Sequence, residues 1–503
     1  MSNFTNLNYK QYFQSLPSPL YTPVKPQGIS NPRLVATSEN CADLIGLDVK
    51  TLSSDDSLKV ISGQALLSNW NPVAMKYTGH QFGHYNPDLG DGRGLLLAQV
   101  EKDNGTVFDL HLKGAGMTPY SRSGDGRAVL RSSIREFLCS EALHGLGVPT
   151  SRALCVIDSD TPVYREEQET ASMIVRVSQS HIRFGHIEFC SFSEQHDLLK
   201  TLCDAVIEQH YPQLNHDTDT DTDNREHNKY AQFYEITLDK TAKLMAHWQS
   251  IGFCHGVMNT DNMSIIADTF DFGPFAFLDD YDPSFICNHS DHQGRYAFNQ
   301  QPNMANWNLA ILAQALLPLV DKDALVACLD RFSEIFTGYF LDMMSEKLGL
   351  LTTDTDKNNT KDNQNIIDQT LKMMALCRLD FTFFFRKLSH INNPEIKTEL
   401  RNMALDINLF DQWYIDYTSK LKQLNLELAD PIRCDRMNTV NPKYILRNYL
   451  AQNAITTAQA GDYSVTQRLH HALKHPFDEQ PQYNDLAKLP PDWGKELEIS
   501  CSS

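Results

Sequence analysis

The 503-residue sequence has no C-x-x-C pair, no long apolar run and no excess of positive charge. Each absence removes a class of function. Eleven scattered cysteines fit reduced thiols that mostly fill the core, better than a disulfide framework or a zinc site. No apolar stretch approaches the roughly eighteen residues of a membrane span, so no membrane partner is expected. The opening MSNFTNLNYKQYFQSL lacks both the charged-then-apolar layout of a signal peptide and the Arg-rich pattern of a transit peptide; a cytoplasmic chain is expected. A net charge of −19 argues against a nucleic-acid partner, because displacing counterions from phosphates needs a basic stripe. Any anionic ligand must therefore meet a local positive patch.

What is present divides along the chain. Length alone admits roughly two to four domains. Residues 1–70 are Pro-rich at first (LPSPLYTPVKPQGISNP) and then briefly helical around Cys41 to Leu47, which reads as an N-terminal extension wrapped on a core. Residues 71–190 are strand-rich: GLLLAQVE, TVFDLHLKG, ALCVI, PVYR and ASMIVRVS are short, apolar or alternating, and broken by Gly, Asp or Pro. One helix, from about Arg127 to Leu146, interrupts them with Leu130, Ile134, Phe137 and Leu138 on a stripe and a GLGVP stop. Residues 191–430 read as almost all helix, and 431–503 as a C-terminal extension ending in a cysteine-bearing tail. A small β-rich lobe followed by a larger helical lobe is the α+β, bilobal plan of the protein-kinase-like fold, with the site expected in the cleft between lobes.

Two acidic low-complexity segments, at 215–228 and 352–365, read as surface insertions. The first alternates Asp217, Asp219 and Asp221 like a calcium loop. It has Thr222 where the sharp turn needs Gly and Asn228 where a bidentate Glu belongs, so calcium is not expected there.

The chemistry gathers at HGVMNTDN, His255 to Asn262. Kinase-like phosphotransferases carry His-x-Asp-x-x-x-x-Asn, in which the Asp serves the acceptor and the Asn a metal ion. His255 and Asn262 keep that spacing, but Val257 stands where the Asp belongs. Downstream, Asp271-Phe272-Gly273 falls after a strand-like SIIADTF, so Asn262 and Asp271 could give oxygen ligands to Mg²⁺. Upstream, Lys113 ends an alternating strand and Glu136 lies on the following helix, the arrangement that clamps ATP phosphates in kinases. Read alone, they are a surface lysine and a solvated carboxylate.

GDGR occurs twice, at Gly90–Arg93 and Gly124–Arg127, on turns whose N–H groups and arginines suit phosphate. Two plain β-turns with solvated arginines are the alternative. From Lys113 to Arg135 five basic residues (Lys113, Arg122, Arg127, Arg131, Arg135) face one acid, Asp125, and supply the expected positive patch. Arg176, inside the apolar MIVRVSQ, and Arg183 need anions, either a ligand or a structural carboxylate. A loop with a metal ligand and no conventional base is either silent or doing different chemistry. Val257 counts against a conventional kinase-like phosphotransferase, and the presence of Lys113, Asn262 and Asp271 against a silent pseudokinase scaffold.

Taken together, TGHQFGHYNPDLGDGRG, LHLKGAGMTPYSRSGDGRAVLRSSIREFLCSEALHGLGVPTSRAL, HGVMNTDNMSI, DFGPFAFLDDYDP, NPKYILRNYLAQNAI and the terminal SCSS closely resemble the selenoprotein O family, with its bacterial YdiU members. Those proteins are kinase-fold protein adenylyltransferases. The resemblance implies that ATP lies in the sense opposite to that in kinases, so that AMP passes to Ser, Thr or Tyr hydroxyls of proteins, the chain itself among the candidates, with UTP as a second candidate donor. It implies Asp261 as the base, Asn262 and Asp271 as ligands of Mg²⁺ or Mn²⁺, and nucleotide contacts from Gly90, Gly92, Arg93, Lys113, Asp125, Gly126, Arg176, Arg183 and Asp271. Tyr85 departs from the family's frequent Trp. Eukaryotic members carry selenocysteine at the third residue from the end, where this chain has Cys501. With Cys287 just beyond the DFG segment, the expectation is a reversible Cys287–Cys501 disulfide that limits activity.

Overall fold

The computed structural model describes residues 3–215, 228–351 and 360–498. Asp217, Asp219, Asp221 and Cys501 lie outside them. The first part of the chain is organised by a ten-stranded antiparallel sheet. Its main path runs Tyr21–Pro23, Val73–Met75, Gly94–Glu101, Val107–Lys113, Gln168–Ser178, Arg152–Asp158, Arg33–Thr37. Short strands at Tyr9–Lys10, Ala128–Val129 and Pro162–Tyr164 add to it off this path.

Side-chain alternation decides what each face of this sheet does. Leu110 and Leu112 point to one face, where they join Leu95, Leu97, Val175 and Val177 in a core completed by Cys41, Ile45, Leu52 and Ile61. The N-terminal residues thus cover that face as a layer. Asp109, His111 and Lys113, the intervening positions, point to the other face. In register, Lys113 pairs with Ile174 and Gly94, and His111 with Arg176, so the polar residues of two strands are set side by side.

On that second face lies the helix Leu130–Gly145, whose Ile134, Phe137, Leu138 and Ala142 share a core with Leu96 and Ile174. It begins later than the sequence suggests, because Ala128 and Val129 pair with Ser172 and Ala171 as a strand before the helix can start. Two C-terminal helices, Asn448–Gln459 and Ser464–Leu473, pack on its far side. The approach is close: a Cβ on Gly145 would lie 2.3 Å from the Leu473 carbonyl oxygen. A buried cluster joins these parts, with Arg152 donating to both carboxylate oxygens of Glu141 at 2.8 and 2.7 Å, and Ser38 and His470 beside the same carboxylate.

The rest is mostly helical, built around Lys229–Ile251, Gln301–Leu316 and Phe332–Lys347 and a separate core that includes Met374, Phe385, Trp413 and Tyr417, with one short antiparallel pair, Phe253–Cys254 and Ala276–Phe277. As expected for residues 191–430, DQTLKMMALCRLDFTFFF is helical, in two helices, Gln364–Cys377 and Phe381–Leu388, because Arg378 turns left-handed (φ 50°) and Asp380 caps the second by accepting from Phe383 N–H. One local reading is corrected. SIIADTF is no strand: it is a turn with isolated bridges, Ser264 to Arg183 and Thr269 to Thr150. Pairing with chain on both sides replaces the ladder that its apolar residues suggested. Among the described residues, no helix is long and apolar enough to cross a membrane.

Candidate active site

Between the sheet and the helical part lies a cleft of about 440 Å³ whose wall includes Gly90, Arg93, Lys113, Asp261, Asn262 and Asp271. Volume alone does not select it. Hollows of about 650 and 700 Å³ open beside Glu169 and Tyr463 and beside His144 and Asp268, but neither joins a lysine to the loop of Asn262.

The innermost part of the cleft is an ion-pair chain. Lys113 Nζ lies 2.5 Å from Glu136 Oε2, and both side chains are buried. The other oxygen of Glu136 takes Arg176 Nε, and Arg176 Nη2 is 2.9 Å from Asp271 Oδ1. Arg183 binds the second oxygen of Asp271 and donates to the Asp261 carbonyl at 2.7 Å. Lys113 is therefore no surface lysine, and Arg176 meets carboxylates. Burial pushes the Glu136 carboxyl up, but Arg176 and Lys113 outweigh it and hold it at about 2. Burial lowers Lys113 to about 8, with Glu136 opposing. For Asp271 burial again raises and Arg183, Arg176 and Lys113 outweigh it, holding the carboxyl well below its ordinary range. The cleft wall carries seven Lys and Arg side chains against four carboxylates, Asp91, Asp125, Asp261 and Asp271, with Glu136 behind Lys113, which leaves positive charge for an anion. The Arg93 carbonyl accepts from Gly114 and Ala115 N–H at 2.7 and 3.2 Å, while its guanidinium has no hydrogen-bond or ion-pair partner among the described residues and is exposed in the cleft.

The two GDGR turns line the cleft mouth. Gly90 has φ 151°, and a Cβ there would stand 2.5 Å from the Tyr120 ring; Gly126 has φ 71°, and its Cβ would collide with the Gly116 carbonyl at 2.1 Å. Only glycine fits either place. Asp125 is held by a bidentate Arg165 at 2.8 and 3.0 Å and accepts from Arg127 N–H. The positive patch differs from the expected one. Arg131 pairs with Glu169 in a separate hollow, and Arg135 is buried against the Phe275 ring and carbonyl. Arg127 spends its guanidinium on backbone carbonyls of Gln27, Gly28 and Gly114. Lys113, Arg122 and Arg127 of the expected patch do line the cleft, and Arg93, Arg165, Arg176 and Arg183 stand there in place of Arg131 and Arg135.

The loop His255–Asn262 closes the other side. His255 is buried, stacked on Trp248 at 5.3 Å, and its Nε2 donates to the Phe270 carbonyl at 3.0 Å, which latches the loop to the Asp271 segment. Met258 and Gly256 carbonyls accept from Asn308 and Asn288. Val257 gives the cleft an apolar side chain where a carboxylate was absent from the sequence. Asp261 is buried; burial raises its carboxyl to about 6, with Arg183 and Gln81 opposing. Its Oδ1 is buried and has no hydrogen-bond partner, so one lone-pair site of the carboxylate is unused.

Asn262 donates its amide N–H to the Val257 carbonyl at 3.0 Å, an orientation that leaves its amide oxygen as a donor to a cation. Asp271, with left-handed backbone (φ 57°), presents a carboxylate to the same cleft. One amide oxygen and one carboxylate, completed by phosphate and water, suit Mg²⁺ or Mn²⁺. Among the described residues, no group of three or more His, Cys, Asp or Glu side chains forms a metal site.

Several residues escaped the reading of the sequence. Gln81 Nε2 donates to Asp261 Oδ2 at 3.1 Å. Asp91, between the first turn's glycines, accepts from Met75 N–H at 3.2 Å, from Tyr77 at 3.3 Å and from His111 at 3.1 Å, and so pins that turn to the sheet. The His111 ring stacks on His181 at 4.7 Å, and His181 is bound to Asp109. Asp109, His111 and Lys113 alternate with two leucines, a signal in the sequence that the cleft face of this strand is polar. Cys287 is buried under Gly256, with its Sγ 3.3 Å from that of Cys254. Its expected partner Cys501 lies outside the described residues, the last of which before it, Glu498, has its carboxylate 3.7 Å from His289 Nε2.

The family model described as protein adenylyltransferase SelO matches residues 3–474. The chain is 48% identical to the protein nucleotidyltransferase YdiU of Vibrio atlanticus (strain LGP32) over 503 residues, covering all of both chains. Proteins of the same name in Azotobacter vinelandii (strain DJ / ATCC BAA-1303) and Pseudomonas putida (strain GB-1) are 49% and 48% identical, again over the whole of both chains.

Proposed function

The chain belongs to the SelO family of protein adenylyltransferases, and on that premise we propose that its cleft moves AMP from ATP onto Ser, Thr or Tyr hydroxyls of proteins. UTP is a second candidate donor, and the chain itself a candidate acceptor. In this reading the fold is protein-kinase-like and bilobal: residues 71–190 hold the nucleotide phosphates, residues 191–430 carry the base and metal donors, and 1–70 and 431–503 are extensions. The protein works in the cytoplasm.

One observation carries the reading. The carboxylate able to serve an acceptor is Asp261, buried beside Asn262 with one free oxygen, while the kinase position holds Val257. A base displaced from beside His255 to beside Asn262 matches an acceptor that meets a different phosphorus. The acceptor hydroxyl gives its proton to Asp261 as its oxygen forms a bond to the α-phosphorus. The bond to the β-phosphate oxygen breaks, and pyrophosphate leaves. Lys113, Arg176 and Arg183, already fixed by Glu136 and Asp271, hold the departing charge from preorganised positions. Asn262 and Asp271 would hold Mg²⁺ or Mn²⁺, whose chemistry is neutralisation of phosphate charge. Arg93, Gly90, Gly92, Asp125 and Gly126 frame the rest of the nucleotide. Cys287 and Cys501 form the proposed redox brake, which acts through the contact of Cys287 with Gly256.

The test is transfer of label. Purified protein with a divalent metal moves label from α-labelled ATP to protein hydroxyls and none from γ-labelled ATP. Transfer of γ-label alone would make the protein a conventional kinase.

A further inference from the structure

The strands Gly79–Gln81 and His84–Asn86 form a two-stranded hairpin apart from the large sheet. It is joined instead to the loop that carries Asp261. His80 N–H donates to Thr260 Oγ1 at 2.7 Å, Phe82 N–H to Asn259 Oδ1 at 3.2 Å, and Gln81 reaches Asp261 itself. Gly79 lies so near that a Cβ would stand 2.8 Å from Asp261 Oδ1. One side of the hairpin is therefore the wall of the base.

Its other side faces solvent with two aromatic rings. Phe82 is 41% and Tyr85 38% exposed. Both are braced from below, Phe82 by Tyr296 at 5.2 Å and Tyr85 by His80 and Phe192 at 5.3 Å each. Phe82 also holds a left-handed backbone (φ 49°), unusual for a bulky residue, and it is bonded there to Asn259 and Tyr296. Beside them Arg295 lies over the Trp307 ring at 4.8 Å, with its Nε unpartnered. Rigid, half-exposed rings next to a reactive group are the anchors that protein interfaces use. The cations that suit phosphate gather elsewhere, around Lys113, Arg176 and Arg183.

We propose that this hairpin is the platform for the acceptor polypeptide. An extended segment lies across Phe82 and Tyr85, apolar side chains flanking the acceptor residue rest on the two rings, and the acceptor hydroxyl reaches Asp261 past Gln81. Gln81 is then a positioning residue, orienting the carboxylate that takes the proton. The inference rests on the AMP-transfer reading and adds to it the kind of segment that is chosen.

The probe is an array of synthetic peptides, each with one Ser, Thr or Tyr and varied flanks, incubated with α-labelled ATP and Mg²⁺ or Mn²⁺. The wild-type protein should favour Leu, Met or Phe beside the acceptor. Phe82→Ser/Tyr85→Ser should lower kcat/KM for a favoured peptide by about 10- to 100-fold, mainly through KM, and flatten the preference. Calorimetric affinity for a non-hydrolysable ATP analogue should stay within about twofold, and Phe82→Leu/Tyr85→Phe should restore most of the peptide KM. Unchanged KM and flank preference in the serine variant would overturn the platform. A photo-crosslinking residue at position 82 separates the two ideas: crosslinks to peptide without α-label transfer support the platform and reject the AMP chemistry, whereas transfer without crosslinks rejects the platform.

Discussion

Glu136→Gln tests the idea that a buried carboxylate keeps the phosphate-binding lysine charged. Glu136 holds Lys113 at 2.5 Å and Arg176 with its other oxygen. After the substitution Arg176 still has Asp271 at 2.9 Å, but Lys113 has lost its ion-pair partner. Removing one partner of a buried pair costs about 3–5 kcal/mol, against total stabilities of about 5–15 kcal/mol for ordinary domains. Glu136→Gln/Lys113→Met removes the stranded charge as well and should recover much of that loss. The chemistry shifts too. Burial brings Lys113 down to about 8, and Glu136 is the largest influence holding it up. In the proposed reading ATP phosphates need the protonated amine, so kcat/KM for ATP should fall as pH rises through about 8, and in Glu136→Gln the fall should start at lower pH. Lys113→Met should lack this alkaline limb altogether. Steady-state kinetics across neutral and alkaline pH, with hydrogen exchange of the Val107–Lys113 strand, measure both effects. An unshifted limb, or a stability loss under about 1 kcal/mol, would refute the reasoning.

Other perturbations separate the remaining roles. Asp271→Ala should abolish metal-dependent nucleotide binding by calorimetry, whereas Asp261→Ala keeps binding and loses about 10² to 10⁴ in transfer rate; equal binding defects would show the division to be wrong. The Glu141 carboxyl is pushed up by burial, but His470 and Arg152 outweigh this and hold it at about 2, below its ordinary 4.5. Its contribution to stability is therefore full above about pH 4.5 and lost as pH falls towards 2. Glu141→Gln should be less stable at neutral pH and show a flatter acid-unfolding curve, followed by circular dichroism. Oxidised protein should yield a Cys287–Cys501 cross-link by mass spectrometry, and dithiothreitol should raise transfer in the native chain but not in Cys501→Ser; an identical response in both would reject the redox brake.

Much of this architecture was legible from local pattern. Alternation in DLHLK and MIVRVS marks strands whose two faces differ, and the spacing from His255 to Asn262 and Asp271 marks the loop opposite them. The errors came from direction and distance. Arg131 and Arg135 were counted with Lys113, but they sit about 140° and 100° round the helix from Glu136, so a helix that turns Glu136 to the cleft turns them away. Gln81 and Asp91 were missed because their partners, Asp261 and His111, are brought to them by the tertiary fold. SIIADTF has strand-like composition, but its backbone bridges to Arg183 and Thr150, and composition does not report pairing partners.

The central claim is that attack falls on the α-phosphorus with Asp261 as base, and the nucleotide products report it most directly. A reaction with ATP, a divalent metal and an acceptor protein, resolved by chromatography and intact mass, should give pyrophosphate in step with acceptor gaining one adenylyl group, with the yield falling sharply in Asp261→Ala. Release of ADP with acceptor gaining one phosphoryl group would contradict the account.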